Sequence, residues 1–167
     1  IPYARAPSEQ ILIFTHGRGE KLNNLRLSLL GDYQVENASL AIETVSQLQK
    51  FGFKITNKAI RKALSSAFFP GRFEVVRGPV GLHPHSTSSV APLPSGAQWG
   101  SPTPATPLII LDGAHNPAKM KAFLDSLKQI FPKERKVFIV GFKFDKDIKA
   151  MMNKIFKIAD AVIFTQF

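Results

Sequence analysis

Two kinds of apolar spacing alternate along this chain. Residues 11–14 and 25–29 are short apolar runs, and the polar, glycine-containing stretch between them predicts a β-hairpin. Gly31 and Asp32 are expected to end the second strand. From about residue 34 to 50 the period becomes helical: Ala38, Ala41, Ile42, Val45 and Leu48 recur on one face. Gly52 follows where helices commonly close. A second helix is predicted over 58–67, with Ile60, Ala63, Leu64 and Ala67 on one side. Thr56 or Asn57 can cap it. Pro70 and Gly71 then break the pattern.

Beyond that break, residues 73–77 read as a strand. Residues 78–107 show no period and hold more than half of the chain's twelve prolines, which marks a low-complexity loop. Residues 108–111 form a β-rich apolar run. A helix over 117–131 would bury Met120, Phe123, Leu124, Leu127 and Ile130, with Pro117 at its first position. Residues 137–140 are the next strand. Asp145 or Asp147 opens a further helix with Ile148, Met151, Met152, Ile155 and Ala159 inward, and 161–165 is the last strand. Short apolar strands joined by helices predict an α/β fold with a mostly parallel sheet. No internal repeat is visible. The first residue is Ile rather than Met and the last strand leaves a small sheet with one face uncovered, so a fragment of a longer protein is expected.

The length, 167 residues, allows one domain or parts of two. With no cysteine, disulfides and thiolate metal sites are excluded, and a reducing, cytoplasmic setting is expected. The apolar runs are far too short to span a membrane, so no membrane partner is expected. Charge adds a clue to ligands. Lys and Arg number 22 against 12 acids, a net charge of +10. Residues 116–157 carry eleven of the cations and four acids, or +7. Such an excess suits phosphates, polycarboxylates or nucleic acid, although a solvated lysine-rich helix face has the same composition.

Three segments could carry chemistry. Leu111-Asp112-Gly113-Ala114-His115-Asn116-Pro117 lies at a strand's C-terminal end and leads into a helix, the crevice where open α/β sheets bind ligands. The helix start offers free N–H groups and a positive dipole end. The plainer alternative is a capped turn, with Asp112 bonding the loop and Asn116 capping the helix. Pro70-Gly71-Arg72-Phe73-Glu74 places an arginine beside a tight turn, where its planar fork suits a phosphate. Pairing of Arg72 with Glu74 or another acid is the alternative. In Gly31-Asp32-Tyr33-Gln34-Val35-Glu36-Asn37-Ala38, Gln34 and Asn37 project from one face of a helix start, and an amide there suits an adenine edge. Ordinary capping and packing would also explain it. No phosphate-loop motif, His-Glu-x-x-His motif or Gly-x-Ser-x-Gly turn occurs. His83 and His85 fall in the low-complexity loop and suggest no metal site.

In this order, Gly-Asp-Tyr-Gln-x-x-Asn-Ala, Pro-Gly-Arg-Phe-Glu, Leu-Asp-Gly-Ala-His-Asn-Pro and Gly-x-x-x-Asp-Lys-Asp resemble the folylpolyglutamate synthase/dihydrofolate synthase family of the Mur ligase superfamily. The resemblance runs from about Leu25 to Thr165, apart from loop 78–107. It implies that residues 1–70 end a central ATP-binding domain and residues 71–167 open a Rossmann-like C-terminal domain. It implies ATP and Mg²⁺ as cofactors, with folate or dihydropteroate, L-glutamate and ATP as small-molecule partners, no nucleic acid, and a monomer. The family activates a substrate carboxylate as an acyl phosphate, which the glutamate amine then attacks. Carried over by motif, Asn37 would touch adenine, Arg72 the ATP phosphates and Asp112 the ribose side. His115 would face the site between domains, which makes Arg72 and His115 the candidate catalytic residues. Lys146 matches a family motif without an assigned role. Tyr33 stands where many relatives have His. The family's phosphate loop and Mg²⁺ ligands match nothing in these residues, so the chain alone is expected not to turn over ATP. Two other readings stay open at this stage. One is a Mur ligase of peptidoglycan precursor synthesis, where Asp-Tyr-Ala-His is usual in place of Asp-Gly-Ala-His. The other is a basic nucleic-acid-binding module, motivated by the charge.

Overall fold

In the computed structural model, which describes residues 9–15, 21–76 and 107–166, the first half is built on an antiparallel pair. Its strands are β1 (Gln10–Thr15) and β2 (Lys21–Leu27). The residues at the hairpin tip, and most of loop 78–107 with His83, His85 and Trp99, lie outside the described residues. Strand β2 starts four residues earlier than its apolar run predicts. Its first part is polar because it carries an irregularity: Leu12 pairs with Leu25 but Phe14 pairs with Leu22, and Asn24 takes φ 54°. An extra residue in one strand of a pair bends it and spoils the alternation on which strand reading depends.

Helix α1 (Asp32–Gln49) begins on Gly31, whose φ of 102° is a conformation that favours glycine. The helix therefore opens at Asp32, which the sequence placed at a strand end. Helix α2 (Asn57–Ser66) starts on Thr56, whose hydroxyl accepts from the Ala59 N–H at 3.2 Å. Leu25, Ile42 and Ile60 are buried together, with Leu12, Phe14, Val45 and Leu64 packed around them. The helical and strand faces read from the sequence thus meet in one small core.

The second half contains β3 (Glu74–Val76), β4 (Ile109–Leu111), α3 (Pro117–Ile130), β5 (Val137–Val140), α4 (Ile148–Ile155) and β6 (Ala161–Phe164). The expected parallel pairing is carried by β5 and β6, in register from Val137 opposite Ala161 to Val140 opposite Phe164. Helix α4 provides the crossover that parallel strands require. Strands β3 and β4 run antiparallel, with Glu74 opposite Leu111 and Val76 opposite Ile109. Asn116 caps α3 and Asp147 caps α4, each accepting from a backbone N–H three residues on. Met120, Leu124, Met151, Met152 and Ile155 pack between α3 and α4.

A separate cluster joins the halves. Leu30, just ahead of α1, packs with Phe73, Leu127 and Phe131. Gly31 sits so close to α3 that a Cβ there would lie 2.8 Å from the Ser126 hydroxyl oxygen. Ser126 is itself buried at 2% exposure, so the start of α1 and the middle of α3 are in intimate contact. That contact brings the start of α1 against α3, the helix into which the Asp112–Pro117 segment leads.

Candidate functional site

The site grows from the ends of β3 and β4. Phe69-Pro70-Gly71-Arg72 is a tight turn with the Arg72 N–H donating to the Phe69 carbonyl at 3.3 Å. Pro and a Gly at φ 65° in the central positions are the signature of a type II turn. The Glu74 carboxylate accepts from the Gly71 N–H at 2.7 Å. Phe73 follows at φ 48°, a left-handed conformation that is strained for a bulky side chain. Its ring, 2% exposed, is held in the inter-half cluster and meets Phe123 edge-on at 5.6 Å.

Asp112 stands opposite, immediately after β4. Its Oδ2 accepts from the Phe73 N–H at 2.8 Å, and its Oδ1 accepts from the Ala114 N–H at 2.8 Å. The Gly113 N–H donates to the Gly71 carbonyl at 2.7 Å. The two turns are thereby fastened where the β3–β4 ladder runs out. Burial pushes the Asp112 carboxyl above its ordinary value. Its two N–H donors and the Arg72 guanidinium pull the other way.

The Arg72 guanidinium lies over the Phe69 ring, 5.7 Å from its centroid. Among the described residues it forms no ion pair, and Glu74 is engaged by Gly71 instead. Arg72 also acts electrostatically on Asp112 and Tyr33. The Tyr33 hydroxyl is buried and makes no hydrogen bond of good geometry among the described residues. Burial, and then the charge of Asp112, raise its phenol to about 12, so it is a neutral donor at pH 7.

His115 is exposed on the same loop. Its Nδ1 lies 2.9 Å from the Gly113 carbonyl, which can only accept, so the proton sits on Nδ1. Nε2 then presents a lone pair, and the Lys119 ammonium donates to it at 3.3 Å. Asn37 is exposed one turn into α1, where its Nδ2 donates to Gln34 Oε1 at 3.1 Å. The two amides do share a face, but Gln34 is buried at 6% exposure, so Asn37 is the outer member.

The structure therefore gathers Tyr33, Arg72, Asp112 and the His115 loop. Asn37 reaches them only through Gln34 and the start of α1. Lys146 bonds Asp145 at 2.7 Å in the β5–α4 loop. That hydrogen bond holds the Asp145 carboxyl below its usual value. Two residues escaped the sequence reading as site members. Lys119 had a signal, its four-residue spacing from His115 across the helix start. Tyr33 lay inside a candidate segment, but nothing in the local pattern marked its hydroxyl as buried beside Asp112 and Arg72. Among the described residues, no three His, Asp or Glu side chains could together hold a metal ion, and no helix is long and apolar enough to cross a membrane.

A strand-tip loop feeding a helix here faces an arginine turn, and known proteins share this chain's pattern. Residues 101–167 match the Mur ligase glutamate ligase domain. The chain is 29% identical over 136 residues to a folylpolyglutamate synthase of Lacticaseibacillus casei, covering 81% of this chain and 25% of that one. It is 28% identical over 145 residues to a dihydrofolate synthase/folylpolyglutamate synthase of Bacillus subtilis, covering 86% and 27%. Among solved structures, an FPGS–AMPPCP–folate complex superposes with a TM-score of 0.72 at 26% identity, covering 98% of this chain and 33% of that one. A folylpolyglutamate synthase from Thermotoga maritima gives 0.62 at 27%, covering 95% and 32%. These matches support the folylpolyglutamate synthase/dihydrofolate synthase family of Mur ligases as the family this chain resembles. It spans about a quarter of the length of these curated relatives.

Proposed function

We propose that this chain forms the arginine-turn and glutamate-ligase part of an ATP-dependent enzyme that adds L-glutamate to folate or dihydropteroate. The observation that carries the reading is the fastening of Pro70–Phe73 to Asp112–Ala114, which holds Arg72 beside Asp112 and Tyr33. The names of the relatives, and the AMPPCP and folate in one solved complex, support the same reading. In this proposal residues 1–70 belong to the ATP-binding domain and 71–167 to the domain that receives the amino acid.

The residues present fit a nucleotide. Arg72 has a free planar fork for phosphate oxygens, and Asn37 has an exposed amide for an adenine edge. When bound, ATP supplies the phosphoryl group that activates the substrate carboxylate as an acyl phosphate. Arg72 would stabilise negative charge on the transferring oxygens, preorganised by a turn that does not need to rearrange. His115 Nε2 accepts from the Lys119 ammonium, a place that the ammonium of an incoming amino acid would take by displacing that lysine. Asp112 already accepts two backbone bonds, so its contact with ribose rests on the resemblance alone. No phosphate-loop motif occurs in the 167 residues, and neither that role nor a Mg²⁺ ligand is assigned to any of them.

The test is turnover of the full-length protein with ATP, L-glutamate and either dihydropteroate or reduced folate. Arg72→Ala should lower kcat about a hundredfold to a thousandfold, the loss of roughly 2.7–4 kcal/mol of transition-state stabilisation. Arg72→Lys should recover little of it, because an ammonium cannot reproduce the fork. The unfolding free energy should change by less than about 1 kcal/mol, the scale of an exposed cation–π contact. Near-normal turnover in Arg72→Ala would remove the arginine from the reaction.

A further inference from the structure

The position of Asp112 admits a role other than touching the nucleotide. Arg72 sits between Gly71 at φ 65° and Phe73 at φ 48°. A left-handed Phe costs free energy unless neighbouring interactions over-determine it. The interactions that do so are visible. The Phe73 ring is buried in the inter-half cluster, and the Phe73 N–H is bonded by Asp112 Oδ2. The second oxygen of the same carboxylate bonds the Ala114 N–H, and the Gly113 N–H returns to the Gly71 carbonyl. One side chain thus grips both turns, across 39 residues of sequence on one side and two on the other. Bonds from backbone N–H groups to a carboxylate are among the stronger hydrogen bonds in proteins.

We infer that Asp112 is a positioning residue, a clasp whose two backbone bonds hold the strained turn and so aim Arg72 relative to the His115 loop. This role rests on the ligase reading only for its consequence in turnover. The clasp itself is a statement about the fold.

Four forms of the full-length protein test it: wild type, Asp112→Asn, Arg72→Ala and the double variant. Asparagine keeps the size of the side chain but replaces one acceptor oxygen with an N–H donor, so it cannot accept both bonds. Amide hydrogen exchange reads the clasp without any ligand. In the wild type the Phe73 amide should be protected although it precedes a three-residue strand. In Asp112→Asn, exchange at Phe73 or Ala114 should quicken about tenfold or more, while Leu124 in the core of α3 changes by less than about twofold. Turnover reads the consequence. Asp112→Asn should lower kcat toward the value of Arg72→Ala, and the double variant should be no slower than Arg72→Ala, because one residue acts through the other.

A freely exchanging Phe73 amide in the wild type would overturn the clasp, and that measurement needs no variant to fold. Unchanged exchange at both amides in Asp112→Asn would overturn it too. Losses that multiply in the double variant would overturn the positioning role and point to direct action of Asp112 on the nucleotide. A wild type without glutamate-dependent ATP turnover would sink the ligase reading alone, and the exchange measurements would then decide the clasp.

Discussion

The two turns that build the site are held in opposite ways. The His115 loop is wired largely within itself, where Asp112 bonds Ala114, His115 bonds Gly113 and Asn116 bonds Lys119, all within three residues; Asp112 and Gly113 also reach Phe73 and Gly71. The Arg72 turn closes locally through Pro70 and Gly71. Its continuation at Phe73 is sustained by Asp112, Phe123, Leu127 and Leu30, which lie far away in the chain. A locally wired loop keeps its shape wherever it is placed. A turn wired to distant partners has its shape only when the whole molecule is assembled. Under the ligase proposal, that difference would aim the arginine only in the folded state.

The comparison can be broken at four places, in order of effect. Phe73→Ala removes the ring that anchors the Arg72 turn and should cost about 3–5 kcal/mol, read by denaturant unfolding. A loss under about 1 kcal/mol would show that the turn does not depend on its distant partners. Gly31→Ala puts a methyl group at φ 102°, 2.8 Å from both the Ser126 hydroxyl and the Tyr33 ring. Left-handed backbone and overpacking together should cost roughly 2–4 kcal/mol, and thermal unfolding would show it. Substitution on the local side should be milder. Asn116→Ala removes only the cap of α3 and should cost about 1 kcal/mol. A much larger loss would mean that the loop also leans on tertiary contacts. Gly113→Ala should change stability by less than about 0.5 kcal/mol, since its Cβ would meet the Gly71 carbonyl at an ordinary 3.5 Å. Unfolding curves of Gly113→Ala and Gly31→Ala, side by side, sharpen the contrast between a glycine with room around it and one without.

Much of the fold was legible because its signals are local. Helices α1, α2 and α3 were placed within two residues of their ends by period and caps, whereas α4 stops at Ile155, short of the expected Ala159; Thr56, Asn116 and Asp147 cap as their side chains suggest. The strand β2 was cut short in reading because its bulge at Asn24 interrupts the alternation, and no local signal marks which strand carries the extra residue. At the site, Asp112, His115 and Arg72 stood out as chemistry at turns, and the structure does bring Asp112 and Arg72 together. The burial of Tyr33 and the left-handed Phe73 had no counterpart in the sequence pattern, since both arise from contacts between the halves.

The amino-acid sequence by itself determined the elements, their caps, the local wiring of the His115 loop and the basic charge of the second half. Each depends on residues within one turn of helix or one step of strand, where propensity and short hydrogen bonds act. Tertiary structure alone decided that Gly31 rests on Ser126, that Phe73 is held left-handed, and that Asp112 spends its second oxygen on the distant Phe73 N–H. Those outcomes depend on which distant groups exclude water together, and burial of that kind is a property of the assembled chain rather than of any stretch of it.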